Sequence, residues 1–292
     1  MKLSGLHILL TYQCTYECEH CFVWGSPRQE GTLTLEQVQE ILKQAKDAGI
    51  ESIYFEGGEP FLFYAILARG VRLAAEMGFS VGIVSNAYWA NTVADAMENL
   101  QPFAGRVDDL TVSSDKYHCG ECLGERPQNA LVAAKWLNIP TGMISIDQPE
   151  AGGEASVMYR GRASQLVTRA ALHPWDGFTE CTHEDLREPG RVHLDPFGNL
   201  HICQGVVIGN LFEKSLRQIC DEYDADAHPI CGPLLEGGPV ALVTEYHLPH
   251  TSPSGGASSY ADACHLCYEA RTTLRPRFPA LLAPDQMYGV GL

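Results

Sequence analysis

The sequence has no apolar run long enough to cross a membrane, because none reaches the roughly 18 consecutive apolar residues that a spanning helix needs. The N-terminal segment MKLSGLHILLTYQC also lacks the longer apolar region and the small-residue cleavage site of a secretory signal. These two absences predict a cytoplasmic protein without a membrane partner.

Basic residues are scarce as well. There are 20 Lys and Arg against 36 Asp and Glu, which gives a net charge of −16 at pH 7. An acidic surface repels the phosphate backbone of nucleic acids and the headgroups of anionic membranes, so we expect no nucleic-acid partner. Repeats and low-complexity tracts are absent, and 292 residues with 45% hydrophobic side chains suit one large α/β domain with a smaller appendage.

Up to about residue 150 the sequence alternates between short apolar runs and amphipathic stretches. Thr34, followed by Gln37, predicts the start of the first helix. Alternating strands and helices form parallel βα units, so the fold class is α/β, and right-handed crossovers curl such a sheet into a full or partial barrel. The predicted strands are 7–11, 52–57, 79–85, 108–114 and 139–146, with SVMYRG (156–161) as one more, and the predicted helices are 35–48, 61–77, 91–100 and 127–137.

The residue composition changes from about residue 175, where cysteine, glycine and proline become frequent. RVHLDPFGNLHIC (191–203) alternates on both sides of a Pro-Phe-Gly-Asn turn and predicts a hairpin, and 213–223 predicts a short helix. PHTSPSGGASS (249–259) predicts a mobile loop that covers the site. We therefore divide the chain into two domains, 1–170 and 171–292.

Eleven cysteines are many for a reducing cytoplasm, where a disulfide framework is not expected, and their spacing indicates metal binding. Cys14, Cys18 and Cys21 directly follow the first predicted strand, with three and then two residues between them. A structural zinc site or an iron–sulfur cube normally takes four ligands. A cube with three protein thiolates leaves one iron open, so the fourth ligand need not come from the protein.

This pattern resembles the signature of the radical S-adenosylmethionine (SAM) enzymes, Cys-x3-Cys-x2-Cys in the loop after the first strand. GGEP (57–60), at the end of the next predicted strand, is similar to the Gly-Gly-Glu motif of that family. The resemblance implies a partial (β/α)6 TIM-like barrel, a [4Fe–4S] cluster held by the three cysteines, and SAM as the ligand of the open iron.

The resemblance also implies a reaction. An electron from the cluster cleaves the sulfonium of SAM into methionine and a 5′-deoxyadenosyl radical, and that radical abstracts a hydrogen atom from the substrate. The electron would come from a reductase, a flavodoxin or a ferredoxin. The protein supplies binding, orientation and a site without water.

Several residues match positions where this family contacts SAM. Glu59 would meet the ammonium group, and the two preceding glycines would allow the backbone to approach SAM. The aromatic residue that often precedes the last cluster cysteine in the family is replaced by His20, so adenine stacking there is in doubt. For Ser85, Ser113 and Ile144 an ordinary strand end or strand core explains the residue equally well. The full set of cofactor-binding candidates is His20, Gly57, Gly58, Glu59, Pro60, Ser85, Asn86, Ser113, Asp115 and Ile144.

A second cysteine set resembles the auxiliary-cluster domains of the same superfamily. Cys181 is followed by sixteen residues, Gly198, four residues and Cys203, and far downstream stands Cys264-x2-Cys267. Four thiolates close a [4Fe–4S] cube with no open iron. The arrangement is similar to the single-cluster twitch version rather than to the longer SPASM version, and it implies an auxiliary [4Fe–4S] cluster.

The remaining cysteines have less certain roles. Cys220 shares an apolar helix face with Leu216 and Ile219 and is expected to be a core thiol. Cys231 either replaces a cluster ligand or is structural. Cys119 and Cys122 are a hydrogen-atom donor, a ligand pair for another cluster, or two loop thiols, and we slightly favour loop thiols.

Candidate catalytic residues come from two segments, and the alternatives are an exposed loop histidine and an interdomain salt bridge. Tyr117 and His118 are possible acid–base groups in the loop of Cys119. YRGRA (159–163) resembles a Gly-Arg-Ala element of the superfamily, in which Arg160 or Arg162 would clamp a substrate or SAM.

We interpret the chain as a radical SAM oxidoreductase or modifying enzyme whose auxiliary cluster accepts an electron or ligates the substrate. The favoured substrate is a small natural-product intermediate, such as a sugar or an aminocyclitol alcohol. A peptide side chain is the alternative, and because only thirteen residues precede Cys14, such a substrate would need a separate recognition partner. A third possibility, from a different class, is a non-catalytic zinc or iron–sulfur module.

Overall fold

The computed structural model describes residues 1–115, 124–146, 157–249 and 259–291. Its first half consists of alternating strands and helices, and each strand and helix predicted up to residue 146 is present. The strands are β1 Leu3–Thr11, β2 Ser52–Gly57, β3 Ser80–Ser85, β4 Asp109–Ser113 and β5 Thr141–Ile144, and the helices are α1 Leu35–Asp47, α2 Tyr64–Glu76, α3 Val93–Leu100 and α4 Glu125–Trp136. Among the helices of these described ranges, none is long and apolar enough to span a membrane.

Helix α1 shows how local sequence produces these elements. The Thr34 side chain accepts a hydrogen bond from the backbone N–H of Gln37, and the Gln37 side chain accepts one from the backbone N–H of Thr34. This capping box satisfies two N–H groups that would otherwise have no partner at the helix start, as the sequence predicts. The apolar stripe of α1 is buried against the sheet at Val38, Ile41, Leu42 and Ala45.

The second half adds shorter elements, including the predicted hairpin and the predicted short helix. These are β6 His173–Pro174, β7 Gly190–Leu194, β8 Asn199–Cys203, β9 Val206–Asn210, α5 Leu216–Glu222, α6 Cys231–Glu245, β10 Ser259–Tyr260 and α7 Ala263–Leu274, with 3-10 turns at Gly161–Arg169, Trp175–Gly177 and Asp285–Tyr288. The predicted loop at 249–259 falls almost entirely outside the described residues.

One eight-stranded sheet connects the two halves, in the order β5-β4-β3-β2-β1-β7-β8-β9. Strands β1 to β5 are parallel, and β7 is also parallel to β1, with Leu6 opposite Val192 and Ile8 opposite Leu194. Strands β7 and β8 form the predicted hairpin, and β9 continues the sheet beyond it, again in antiparallel pairing. The division of the chain at residue 170 stays a prediction, and the sheet itself runs across that point.

The sixth parallel strand is therefore β7, and the prediction of a strand at 156–161 was wrong for the residues that are described. Residues 157–160 have no regular structure, and a 3-10 turn begins at Gly161. Gly161 has φ +61°, and a Cβ there would lie 2.5 Å from Cα of Phe22. This segment packs against the cysteine loop, while β7 occupies the free edge of β1.

The two faces of the sheet have different environments. Leu6, Ile8 and Leu10 of β1 belong to the large core that the helices cover. Leu9 and Tyr12 pack in a second core with the C-terminal helices. His7 and the polar residues at matching positions of neighbouring strands lie on the face away from α1 and α2, because side chains of a strand alternate between faces.

A buried carboxylate connects the hairpin to the end of β1. Asp195 is inaccessible to solvent and accepts hydrogen bonds from the Tyr12 hydroxyl at 3.1 Å and from two backbone N–H groups of its own turn at 2.9 Å. It also lies 3.1 Å from Nε2 of His201, which carries the proton because Nδ1 accepts from the Gly205 N–H. The side-chain amide of Asn199 donates a further bond of 3.0 Å.

Replacing this hub tests its role in stability. Asp195→Ala leaves several buried donors without an acceptor, and we expect the free energy of unfolding to fall by about 3 kcal/mol or more. Tyr12→Phe removes one donor and should cost only about 1 kcal/mol. Urea unfolding of the two variants provides the comparison, and equal losses would show that Asp195 does not hold the hairpin in place.

Candidate active site

The three cysteines after β1 line one cavity of about 310 Å³ at the carboxyl ends of the parallel strands. The sulfur atoms of Cys14 and Cys21 accept hydrogen bonds from N–H groups of the protein. The backbone N–H of Gly25 donates to Sγ of Cys21 at 3.3 Å, and the backbone N–H of Tyr16 donates to Sγ of Cys14 at 3.5 Å. The side-chain amide of Asn86 donates to the same Cys14 sulfur at 3.5 Å. Such N–H···S contacts stabilise thiolates bound to iron.

The cysteine set fits a polynuclear cluster better than a single ion. Burial raises the pKa of Cys14 to about 12 and raises that of Cys18 well above its usual range, so both favour the neutral thiol until a cation binds. A tetrahedral zinc ion would bring the sulfurs within about 3.8 Å of one another, given bonds of about 2.3 Å. In the part of the chain that the structure describes, no cysteine belongs to a set of three ligand atoms within 4.8 Å of each other.

Gly57 and Gly58 bring the end of β2 into direct contact with the start of the cysteine loop. Gly57 has φ +147°, and a Cβ there would lie 2.4 Å from the carbonyl oxygen of Thr11. A Cβ on Gly58 would lie 2.2 Å from the carbonyl oxygen of Gln13. Both glycines line the cavity, so the absence of side chains also leaves room for a ligand.

Glu59 is buried beneath the cavity wall. Its carboxylate accepts hydrogen bonds from the backbone N–H of Phe61 at 3.0 Å, the Ser85 hydroxyl at 2.9 Å and the backbone N–H of Asn86 at 2.8 Å. It is absent from the described lining of the cavity, as is Pro60, which begins the 3-10 turn after it. Glu59 therefore fixes the end of β2 to the end of β3, and its contact with SAM stays a prediction.

Most other predicted cofactor positions do surround the cavity, namely His20, Ser85, Asn86, Ser113 and Ile144. Asp115 lies behind them, with its carboxylate 3.9 Å from Nε2 of His20 and accepting the backbone N–H of Ile146 at 3.2 Å. The side-chain amide of Asn86 also donates to the hydroxyl of Thr15 at 3.1 Å. The roles of these residues toward SAM stay predictions.

The two arginines of YRGRA take different positions. Arg162 donates to the carbonyl oxygens of Cys18 at 2.7 Å and Gly25 at 2.9 Å, and its guanidinium lies 5.3 Å from the Trp24 ring. It joins the middle of the cysteine loop to the residues that follow Cys21. Arg160 lines the cavity, so it is better placed than Arg162 for a contact with a ligand.

A second cavity contains the other cysteine set. Cys181, Cys203, Cys264 and Cys267 all line it, together with Arg160 and Arg271. Burial raises the pKa of Cys267 to about 11 and also raises those of Cys181 and Cys264, which again favours thiols in the absence of a cation. The four predicted ligands, separated by up to 86 positions in the sequence, meet at one place in the fold. Their occupation by a cluster stays a prediction.

Two further cysteines, Cys220 and Cys231, lie in different hydrophobic cores. Cys231 begins α6 and is fully buried; burial and the charges of Cys203, Cys267 and Cys181 raise its pKa, whereas a contact with Tyr223 lowers it, leaving a pKa of about 12. Cys231 therefore lies beside the second set. Cys220 packs in the large core, which confirms the prediction of a core thiol. Tyr117, His118, Cys119 and Cys122 fall outside the described residues.

Sequence reasoning missed two residues at these sites. Glu56 lines the first cavity, and Arg271, only 1% exposed, lines the second and donates to the carbonyl oxygen of Gln204 at 2.8 Å. A charged residue inside an apolar strand or an apolar helix face is the feature that would have indicated both.

The pH dependence of stability provides a test of the environment of the buried Glu59 carboxyl group. Burial raises the pKa of Glu59 to about 7 despite the donors of Asn86, Phe61 and Ser85, whereas the usual value is 4.5. The folded protein therefore binds more protons than the unfolded chain between these pH values, and its stability falls as pH rises through them. Glu59→Gln removes this titration, so its melting temperature should change less than that of the wild type between about pH 5 and about pH 8.

The slope of melting temperature against pH is the informative quantity in that experiment. The amide nitrogen of a glutamine cannot accept the Asn86 N–H bond, and this loss lowers stability equally at every pH. If the melting temperatures of the two proteins change equally with pH, the result contradicts a raised pKa of Glu59.

Comparisons with known proteins address the same region. Residues 8–117 match the model of the radical SAM superfamily. A PqqA peptide cyclase from Streptomyces rochei is 39% identical over 87 residues, covering 28% of this chain and 23% of that protein. An S-adenosylmethionine-dependent nucleotide dehydratase from Thermoplasmatales archaeon (strain ISO4-H5) is 30% identical over 139 residues, covering 46% of this chain and 48% of that protein. The chain thus spans less than half the length of the curated relatives that it matches.

The fold has a counterpart among solved structures. The crystal structure of BtrN in complex with AdoMet and 2-DOIA aligns with a TM-score of 0.50 at 13% identity, covering 81% of this chain and 89% of that one. At this identity the likeness concerns the fold, a partial TIM-like barrel. The family match, the cysteine loop that follows β1 and this architecture agree with one another, and residues 8–117 of the chain form a radical SAM domain.

Proposed function

We propose that this protein is a radical SAM enzyme that cleaves SAM reductively and abstracts a hydrogen atom from a small polar substrate in the cytoplasm. One observation carries the proposal: Cys14, Cys18 and Cys21 open into the same cavity as the Gly57-Gly58 turn and the polar ends of β3 and β4. The three thiolates would hold a [4Fe–4S] cluster, which together with SAM supplies an electron and a carbon-centred radical. The electron would come from a reductase, a flavodoxin or a ferredoxin.

The residues of the chain would then bind and orient the reactants. Asn86 donates to the sulfur of Cys14, so it both stabilises that thiolate and stands beside the place where SAM would lie. The glycine turn leaves backbone groups exposed to the cavity, where they can bind the polar end of SAM. Ile144 and Ile146 present apolar surface on the opposite wall, which suits a stacked adenine and excludes water.

The second cavity supports an auxiliary [4Fe–4S] cluster held by Cys181, Cys203, Cys264 and Cys267. Arg160 lines both cavities, and its guanidinium donates to Sγ of Cys203 at 3.2 Å and pairs with Glu184 at 3.3 Å. A cation between two groups of thiolates lowers the cost of their negative charge. We propose that the auxiliary cluster accepts the electron left after hydrogen abstraction or ligates the substrate.

The lining of the first cavity favours a small polar substrate over an apolar one. His20, Glu56 and Arg160 offer both signs of charge within one cavity. Relatives act on different substrate classes according to their names, a nucleotide in one case and a peptide in another. A peptide substrate, presented by a separate recognition partner, is the second candidate, and the 39% identity to a peptide cyclase over 87 residues favours it.

Formation of 5′-deoxyadenosine tests the central reaction. Reduced wild-type protein with SAM should release 5′-deoxyadenosine, and Cys14→Ala should abolish it, because the two remaining thiolates do not hold the cluster in place. Cys220→Ala, which changes a core thiol away from both cavities, is the matched control and should retain the activity. Chromatography of the products provides the measurement, and a wild type that forms none would leave the non-catalytic metal module as the better description.

Iron content tests the auxiliary cluster independently of activity. After anaerobic reconstitution the wild type should contain about eight iron atoms per chain, and the variant Cys14→Ala, Cys18→Ala, Cys21→Ala about four. The second cysteine set would hold the remainder. A triple variant that retains no iron would exclude the auxiliary cluster, and SAM cleavage could still occur without it.

A further inference from the structure

Three potential metal ligands meet on the face of the sheet opposite helices α1 and α2. His7 lies on β1, Glu56 on β2 and His193 on β7, so each comes from a different one of three adjacent strands. His7 and His193 are direct neighbours across the β1–β7 pair, and Glu56 is opposite Leu9, two residues further along β1. The rigid sheet, rather than a loop, therefore sets the positions of all three side chains.

The distances within this trio match those of ligands around one metal ion. Nδ1 of His7 lies 3.4 Å from Oε1 of Glu56, and Nε2 of His193 lies 3.2 Å from the same oxygen. All three ligand atoms fall within 4.8 Å of one another. Metal bonds of about 2.1 Å place neighbouring ligands about 3.0 Å apart in an octahedral site and about 3.4 Å apart in a tetrahedral one.

Hydrogen bonding satisfies this arrangement only in part. Nδ1 of His7 and Oε1 of Glu56 are both shielded from solvent, and their contact of 3.4 Å does not meet the geometry of a hydrogen bond. Nε2 of His193 lies 3.2 Å from the same oxygen, so one carboxylate oxygen holds two imidazoles at ion-pair distance. Buried polar atoms without well-formed hydrogen bonds are uncommon in folded proteins and indicate a missing water, ion or function.

We propose that His7, Glu56 and His193 bind a divalent transition-metal ion of the zinc or iron(II) type. Two imidazoles and one carboxylate are the donor set that such ions take in open sites, where a further position is free for a water molecule or a substrate atom. The trio shares no residue with the two cysteine sets, so the metal site is additional to both predicted clusters.

The surroundings hold the ligands in place. The Tyr54 ring stacks on the His7 imidazole with centroids 4.7 Å apart, and the Tyr54 hydroxyl donates to Asp109 at 3.1 Å. This stacking fixes the orientation of the His7 ring, which is a requirement for a preformed metal site. The side-chain amide of Gln204 lies 3.5 Å from Nε2 of His193, the proposed ligand atom, so this amide has to give way when the ion binds.

The position of the site would allow the bound ion to contact the substrate. Glu56 also lines the cavity that contains Cys14 and Gly57, so an open coordination position would face the space where the substrate lies. The ligand class that suits this position is an oxygen donor, namely a hydroxyl, carboxylate or phosphate group of the substrate. This last step rests on the proposed function, whereas binding of the ion does not.

Zinc binding to the reconstituted protein tests the proposal, because the seven predicted cluster cysteines are then occupied by iron. Equilibrium dialysis with Zn²⁺ followed by elemental analysis should give one zinc per chain in addition to iron. Glu56→Gln, which keeps the size of the side chain, and His7→Asn should each weaken zinc binding by at least about 100-fold, since the loss of an outer partner alone costs about 10- to 100-fold. His173→Ala, which removes an exposed histidine outside the trio, should bind zinc as the wild type does.

X-ray absorption at the zinc edge identifies the ligands without any variant and covers the case in which a variant fails to fold. Nitrogen and oxygen neighbours near 2.1 Å, without sulfur, are expected. Sulfur in the first coordination shell, no zinc retained by the wild type after dialysis, or unchanged affinity in a folded Glu56→Gln would overturn the site. Because SAM cleavage and iron content are separate measurements, zinc binding can fail while the proposed function holds, and the reverse.

Discussion

The close approach of two backbone segments underlies the whole site. The turn after β2 lies directly on the residues that lead from β1 into the cysteine loop, with the N–H of Gly58 bonded to the carbonyl oxygen of Thr11 at 2.7 Å and that of Glu59 to Gln13 at 2.9 Å. No side chain larger than hydrogen fits at either glycine. The carboxylate of Glu59 then extends this contact to β3. The thiol loop and the wall that faces it are consequently one rigid unit, which a hydrogen-abstraction site needs if the reacting atoms are to be held within a few tenths of an ångström.

Local periodicity was sufficient to predict the first half of the fold, since amphipathic helices and buried strands have distinct patterns over about 18 residues or fewer. The capping box at Thr34 and the hairpin at 191–203 were predictable for the same reason, because turn and cap chemistry is local. The strand that completes the parallel part of the sheet was not. The edge of β1 is equally available to any later apolar segment, and the choice of β7 over 156–161 depends on packing against the cysteine loop that no local pattern shows.

The candidate site was likewise predictable from the sequence only in part. The cysteines and the glycine turn carry a spacing that identifies them, and the structure brings them to one cavity. The orientation of Glu59 away from the cavity, toward three donors, depends on where β3 ends relative to β2. The trio of His7, Glu56 and His193 has members up to 186 positions apart, and each is an isolated polar residue in an apolar strand until the sheet is assembled.

The pairing of β1 has a consequence for synthesis on the ribosome. β2 follows β1 after only about forty residues, but β7 emerges much later, after the remaining parallel strands. Until then one edge of β1 offers unpaired N–H and C=O groups, which is the condition under which nascent chains join other strands. Because β1 leads straight into Cys14, the loop that would receive iron stays attached to an incomplete sheet during this interval. The cysteine loop therefore follows a fully paired strand only after β7 has joined β1.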